Sequence, residues 1–274
     1  MNVTSMAEFE IRPARAEDAA EIVRLIREGA DRDVLDKLIY GCAGAARYVE
    51  WNIAAGLLGN RRYFVAMRGE EPAGCADFAV SGDALTLKYI AADGRFRRQG
   101  IGSALLRRGL EALGASRTWM ELDVSLGNAA ALRWYESLGF QPAGRSSYWE
   151  FTSAGAPEGA ALEIPDWPQA QACHEAFGFS EFQLKTPAMS VRVGRVGDAW
   201  FRLPDAGAAS SGAVRGALRA IDPARGIYAV LPEGSVTSWM EAHAKRVRSA
   251  QRMRARIAAL SGGAARLQTS SPER

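Results

Sequence analysis

The sequence predicts an α+β protein built on a mixed, mostly antiparallel sheet flanked by helices. Three observations carry that expectation. The 274 residues are 48% apolar and 24% charged, the balance of a chain that buries a core. Strand-like segments between residues 63 and 91 follow one another across turn-rich breaks of hairpin length. A helix, a strand and a second helix then alternate from residue 100 to 138, as in a β-α-β crossover.

Taken in order, residues 9–12 read as a short strand. Residues 17–28 read as a helix with Ile22, Val23, Leu25 and Ile26 on its apolar side and Asp18 in its first turn. Helices are expected over 33–40 and 45–58, the second bearing Tyr48, Trp51 and Asn52. The period changes at residue 63, and 63–67, 73–80 and 84–91 read as three strands. A helix over 100–113, a strand over 118–124, a helix over 128–138 and a last strand near 149–151 complete a first unit, residues 7–151. Residues 152–163, rich in Gly, Ala, Ser and Pro, read as a linker. A smaller α+β unit follows over 164–260, with strands over 182–185, 190–193, 199–203 and 227–231 and a helix over 213–221. A long helix is expected over 236–260 and a disordered tail over 261–274. No clean internal repeat is visible.

Composition narrows the chemistry. Cys42, Cys75 and Cys173 are far apart and form no C-x-x-C pair, so no disulfide framework or zinc knuckle is expected. His174 and His243 are the only histidines, and neither has ligand-spaced neighbours. This removes most metalloenzyme and Ser-His-Asp readings, and no metal is expected. The start of the chain lacks an apolar h-region and no run approaches a membrane span, so a cytoplasmic protein with no membrane partner is expected. The formal net charge is only +3, and its basic excess concentrates in six Lys/Arg between Lys245 and Arg256. Lys245, Arg248, Arg252 and Arg256 recur at three- and four-residue spacing, which reads as the solvated face of a helix; nucleic acid is not expected as a partner.

The most informative segment is Arg97-Arg98-Gln99-Gly100-Ile101-Gly102, where a strand ends and a helix opens. Glycines there let a ligand approach the backbone, and unpaired amides at a helix N-terminus suit a pyrophosphate. No Lys-Ser/Thr follows, as a Walker loop requires, and the third glycine of a dinucleotide fingerprint is missing. A second block follows: Asn128 with Ala131, Tyr135, then Gly139-Phe140. Asn128 and Tyr135 lie two helical turns apart and so share a face. On the helix alone, a capping Asn and a core Tyr are the other reading.

These two blocks, in this order and separation, resemble the coenzyme A loop and the Asn-Tyr helix of the GCN5-related N-acetyltransferase (GNAT) superfamily, and the resemblance runs from about residue 9 to 151. It implies an acetyl-CoA-dependent N-acetyltransferase that transfers the acetyl group directly to a primary amine of a small molecule or a peptide N-terminus. By the same resemblance Arg97, Arg98, Gln99, Gly100, Gly102, Ser103, Asn128 and Tyr135 bind acetyl-CoA. The amide of Ile90 polarises the thioester carbonyl, and Tyr135 protonates the leaving thiolate. Asp123 stands twelve residues before Tyr135, where bacterial ribosomal-protein N-terminal alanine acetyltransferases place a Glu base. Asp is one methylene shorter, so a bridging water is needed; Glu121 or bulk water are the alternatives. Neither block holds a Cys, so no acyl-enzyme is implied.

The helices over 33–58 occupy the position of the family's acceptor wall, where Tyr40, Tyr48, Trp51 and Asn52 either line a groove or pack as core. The second unit, lacking both blocks, reads as a degenerate GNAT-like half that serves as lid, acceptor platform or homodimer contact. Its aromatic residues Trp167, Phe177, Phe179, Phe182, Trp200 and Trp239 are expected to build its own core. A coenzyme-A-binding regulator without catalysis is the competing function.

Overall fold

The computed structural model describes residues 9–151 and 162–264. The linker expected over 152–163 falls almost wholly outside them, as do residues 265–274 of the expected tail. Residues 261–264, assigned to that tail, are instead helical.

The first half runs β1 (Glu10–Pro13), α1 (Ala19–Gly29), α2 (Ala45–Ala55), β2 (Arg61–Arg68), β3 (Glu71–Ser81), β4 (Ala84–Ala92), α3 (Ile101–Leu113), β5 (Trp119–Ser125), α4 (Ala129–Ser137) and β6 (Gln141–Phe151). Between α1 and α2 the helix expected over 33–40 is two 3-10 turns, Arg32–Lys37 and Ile39–Gly41. The second half runs α5 (Trp167–Phe177), β7 (Phe179–Lys185), β8 (Ser190–Val196), β9 (Trp200–Leu203), α6 (Ala206–Ser210), α7 (Gly212–Ile221), β10 (Gly226–Pro232), α8 (Ser238–His243), β11 (Ala244–Arg256) and α9 (Ile257–Ala264).

The long helix expected over 236–260 is the largest correction. Only Ser238–His243 is helical before the chain extends into the thirteen-residue β11 and then enters α9. This strand lies between β5 and β6, antiparallel to both, with Arg252 opposite Asp123 and Gly144. Alternation along a strand sends Arg248, Ala250, Arg252 and Arg254 to one face and Met253 and Ala255 to the other. Met253 and Ala255 enter the core of the first half beside Leu122 and Phe140.

The eleven strands among the described residues form one sheet in the order β1-β2-β3-β4-β5-β11-β6-β10-β9-β8-β7. About the central β11/β6 pair the order is pseudo-symmetric. Outward on one side come β5, β4, β3 and β2; on the other come β10, β9, β8 and β7. In each run the first two strands are parallel and the rest antiparallel. Each half thus pairs with a strand from the other half, which sequence similarity between the halves does not announce.

Both faces of the first half are covered. One packs Phe78, Leu87, Leu122 and Val124 against Leu105 of α3 and Tyr135 of α4. The other packs Tyr63, Val65 and Cys75 against Ile22, Ile26 and Val49 of α1 and α2. The second half has its own core around Phe182, Phe201, Leu218 and Met240, with Trp167 and Trp239 at its margin. Phe177 and Phe179 turn instead to the first half and pack on Tyr48, at ring separations of 5.7 and 4.9 Å. Trp200 likewise faces the first half, donating its indole N–H to Asp36 at 2.7 Å.

Candidate functional site

Strands β4 and β5 diverge halfway along their length. Ala84–Leu87 pair with Trp119–Leu122, and residues 88–92 have no partner on that side. The direction of the β4 main chain in this opening follows from its register with β3. Asp93 N–H donates to the directly opposed Ala73 carbonyl at 2.9 Å. Bonded and non-bonded opposed pairs alternate in an antiparallel ladder. Cys75–Ala91 is therefore bonded, and Gly74–Ala92 and Ala76–Ile90 are not. The N–H of Ile90 points away from β3, into the opening.

A bulge lies two residues before it. The register slips between Asp77 and Phe78, so that Lys88 is an extra residue in β4. Such an insertion twists the strand and promotes the divergence.

At the far end of the opening the chain turns into α3. The Asp93 carboxylate accepts from the Arg95 amide at 3.0 Å, from Arg95 Nε at 2.9 Å and from Arg24 of α1 at 2.9 Å. Chiefly the Arg95 hydrogen bonds hold this carboxyl well below the ordinary carboxylate range. Beyond this anchor Arg97, Arg98, Gln99 and Gly100 are exposed. Arg98 has φ +61° and Gly100 has φ +80°. A left-handed arginine is costly and marks a loop held for a purpose other than packing. No side chain caps α3, and its first main-chain bond runs from Ala104 to Gly100. The amides of Ile101, Gly102 and Ser103 therefore lack intrahelical acceptors and face outward with the positive end of the helix. A Cβ on Gly102 would stand 3.3 Å from the Trp134 ring, so the glycine lets α4 close over the turn. Uncapped amides, left-handed loop residues and a bare glycine make a cradle that fits a pyrophosphate.

On the same side of the sheet, Tyr135 of α4 is buried, edge-on to Phe140 at 5.6 Å. Burial pushes its phenol up, so it stays protonated throughout the neutral range. Asn128 caps α4, its Oδ1 accepting from the Ala131 amide at 3.0 Å.

The opposite side of the opening is charged. Asp123 is exposed, and its two oxygens accept from Arg252 of β11, Oδ1 from Nε at 3.0 Å and Oδ2 from a terminal nitrogen at 2.7 Å. The adjacent Glu121 pairs with Arg254 at 3.0 Å. Arg248 Nε lies 3.2 Å from both Ser125 Oγ and Asp31. The four basic residues read as one helix face are thus strand residues, and Arg248 and Arg252 reach into this site. Deeper, the wholly buried Asp77 accepts from the Tyr40 hydroxyl at 2.5 Å and from both Nε (2.8 Å) and a terminal nitrogen of Arg61. Desolvation drives the Tyr40 phenol well above its ordinary value, so the hydroxyl remains a donor. Asp77, a lone acid in an apolar strand, was not singled out from the sequence, and Arg252 was read as part of a solvated helix face and not as the partner of Asp123.

Of the expected wall residues, Tyr40 is core and Asn52 is buried with its amide on the Tyr48 carbonyl at 2.8 Å. Tyr48 and Trp51 meet α5 and β7 of the second half. The segment between α1 and α2 is strapped to the same half. Lys37 lies 4.0 Å from the Trp200 ring centre and Tyr228 donates to the Lys37 carbonyl at 2.8 Å, while the Lys37 ammonium pairs with Glu150 of β6 at 2.8 Å.

The second half offers no equivalent opening. All four residues of β9 pair with β10. The starts of α6 and α7, which follow β9 as α3 follows β4, are self-capped, Asp205 accepting from Ala208 at 2.8 Å and Ser211 from Val214 at 3.3 Å. A carboxylate already seated on a helix N-terminus repels a phosphate. Among the described residues no cluster of His, Cys, Asp or Glu is placed to hold a metal, and no helix is long and apolar enough to cross a membrane.

Residues 59–142 match the acetyltransferase (GNAT) domain. The chain is 40% identical over 87 residues to the [ribosomal protein bS18]-alanine N-acetyltransferase of Escherichia coli K12, and 39% identical over 87 residues to that of Salmonella typhimurium LT2. Each match spans 30% of this chain and 57% of the relative, little more than half of its length. The whole fold resembles a tandem GNAT protein from the clavulanic acid biosynthesis pathway, with TM-score 0.65 and 15% identity over 91% of this chain and 99% of that one. It also resembles a GCN5-related N-acetyltransferase from Sphaerobacter thermophilus, with TM-score 0.60 and 14% identity over 93% of this chain and 97% of that one. The diverging strands, the uncapped glycine turn and these likenesses agree: residues 59–142 are similar to the acetyltransferase (GNAT) domain, and the fold around them resembles that of tandem proteins built on it.

Proposed function

We propose that the chain is an acetyl-CoA-dependent N-acetyltransferase acting on a primary amine of a small molecule or a peptide N-terminus. One observation carries this reading most: the Ile90 N–H is aimed into the opening between β4 and β5, beside the uncapped start of α3. In this reading the amides of residues 98–103 and the side chains of Arg97, Arg98, Gln99 and Ser103 hold the pyrophosphate arm. The acyl donor brings an activated thioester, and the Ile90 amide stabilises negative charge developing on its carbonyl oxygen.

Acid and base work from opposite faces of the sheet. Tyr135, kept protonated by burial, donates to the departing thiolate from the α4 side. The amine enters from the α2 side, where Asp123 takes its proton through a water. Arg252 engages one site on each carboxylate oxygen, and a carboxylate has about four such sites, so a water retains access. The second half works as a degenerate GNAT-like half without a donor site, supporting the acceptor wall and contributing Arg252.

Release of free thiol from acetyl-CoA, measured against a panel of amines and peptides, tests the proposal. Turnover with at least one acceptor is expected. Tight binding of acetyl-CoA with no release for any acceptor would favour a coenzyme-A-binding regulator instead.

A further inference from the structure

Lys88 is the bulge residue at the mouth of the opening, two residues before Ile90, and is exposed. The charged groups that act on its ammonium are Arg61 and Asp77 from β2 and β3, and Asp123 and Arg252 from β5 and β11. These four are already matched. Asp77 is paired with Arg61 and Asp123 with Arg252. The next acids along the face are engaged too, Glu121 by Arg254 and Asp31 by Arg248. Lys88 itself has no ion pair among the described residues. Two closed pairs surround one surplus cation where the acceptor must enter.

That arrangement has a consequence for the acceptor. An acceptor bearing only positive charge would meet uncompensated repulsion at the mouth, whereas a carboxylate placed near the acceptor amine would complete the charge balance. Although the side chain is exposed, neighbouring groups partly desolvate its ammonium, and this, followed by the Arg61 charge, lowers the Lys88 pKa. A partly dehydrated ammonium gains more from an anion than a fully solvated one does.

We infer that Lys88 selects acceptors carrying a carboxylate within a few bonds of the amine to be acetylated. This rests on the acetyltransferase reading and adds the acceptor's charge to it. The carboxylate has two sources, the α-carboxylate of a free amino acid or an acidic side chain next to a peptide N-terminus.

Binding separates the sources and does not depend on turnover. The full chain, saturated with coenzyme A, is titrated by calorimetry with alanine against alaninamide, and with Ala-Asp-Ala-amide against Ala-Asn-Ala-amide. In at least one pair the acid should bind on the order of tenfold more tightly than its amide. That ratio should fall to about one in Lys88→Gln, whose coenzyme A affinity and melting temperature serve as controls for folding, and should return in Lys88→Arg. A preference in the first pair alone assigns free amino acids, and in the second alone acidic peptides. Equal or undetectable binding within both pairs overturns the inference, as does a preference that survives in Lys88→Gln. A preference with the expected Lys88 dependence but no thiol release from acetyl-CoA would instead remove catalysis and leave the anion selection standing.

Discussion

Tyr135 and Asp123 approach the opening from opposite faces of one sheet, so their substitutions should separate leaving-group chemistry from amine activation. Tyr135→Phe keeps the ring on Phe140 and removes the proton donor. Turnover should fall by on the order of 10²-fold or more, with acetyl-CoA affinity nearly unchanged. Asp123→Asn should lose most activity at low pH, where the amine is protonated, and recover as rising pH supplies neutral amine. A uniform loss across pH, read from the kcat/KM profile, would mean that Asp123 positions the acceptor and does not accept a proton. Asp93 acts earlier, by anchoring the loop. Its carboxyl lies below the ordinary carboxylate range in the folded protein, so the stability it contributes is present above that range. The contribution fades as pH falls through it. Asp93→Asn should cost about 1–3 kcal/mol at neutral pH, from loss of its charged hydrogen bonds. It should also flatten the acid limb of melting temperature against pH; an unchanged limb would show that the anchor contributes little.

At the scale of elements, what was legible followed sequence distance. The strands over 63–91, the helix over 100–113 and the loop before it are set by contacts between neighbours, and turn residues such as Gly82-Asp83 mark their ends. The proposed pyrophosphate cradle is readable for the same reason, because Arg97 to Gly102 is one continuous stretch. Strand β11 was not, since its slot between β5 and β6 is made by residues between 93 and 137 positions earlier. The signal was present: five of the six even positions from 246 to 256 are arginine, a period-two pattern. The three- and four-residue spacing of Lys245, Arg248, Arg252 and Arg256 masks it, because a basic segment contains both periods. The Arg252–Asp123 pair was hidden with it, and so was the surplus charge of Lys88. Met253 gives the test of this element. It is fully buried in the core of the first half, and Met253→Ala should destabilise that half by about 2–5 kcal/mol in denaturant unfolding. A loss below about 1 kcal/mol would contradict the placement of Met253 in that core.

Across the whole molecule, the pseudo-symmetric sheet contains two β-α-β crossovers of like topology, only one of which opens. In the first half β4 runs five residues past its pairing with β5; in the second, β9 ends where its pairing ends. The start of α3 is uncapped, and the corresponding starts of α6 and α7 are closed by Asp205 and Ser211. One half therefore has both the opening and the uncapped helix start, and the other packs on the segment between α1 and α2 through the contacts of Lys37 with Trp200 and Tyr228. Calorimetric titration of the full chain with acetyl-CoA tests this division most directly. One site per chain is expected, abolished in Gly102→Glu while that variant still unfolds in a single cooperative transition. Two sites per chain, or binding undiminished in Gly102→Glu, would contradict it.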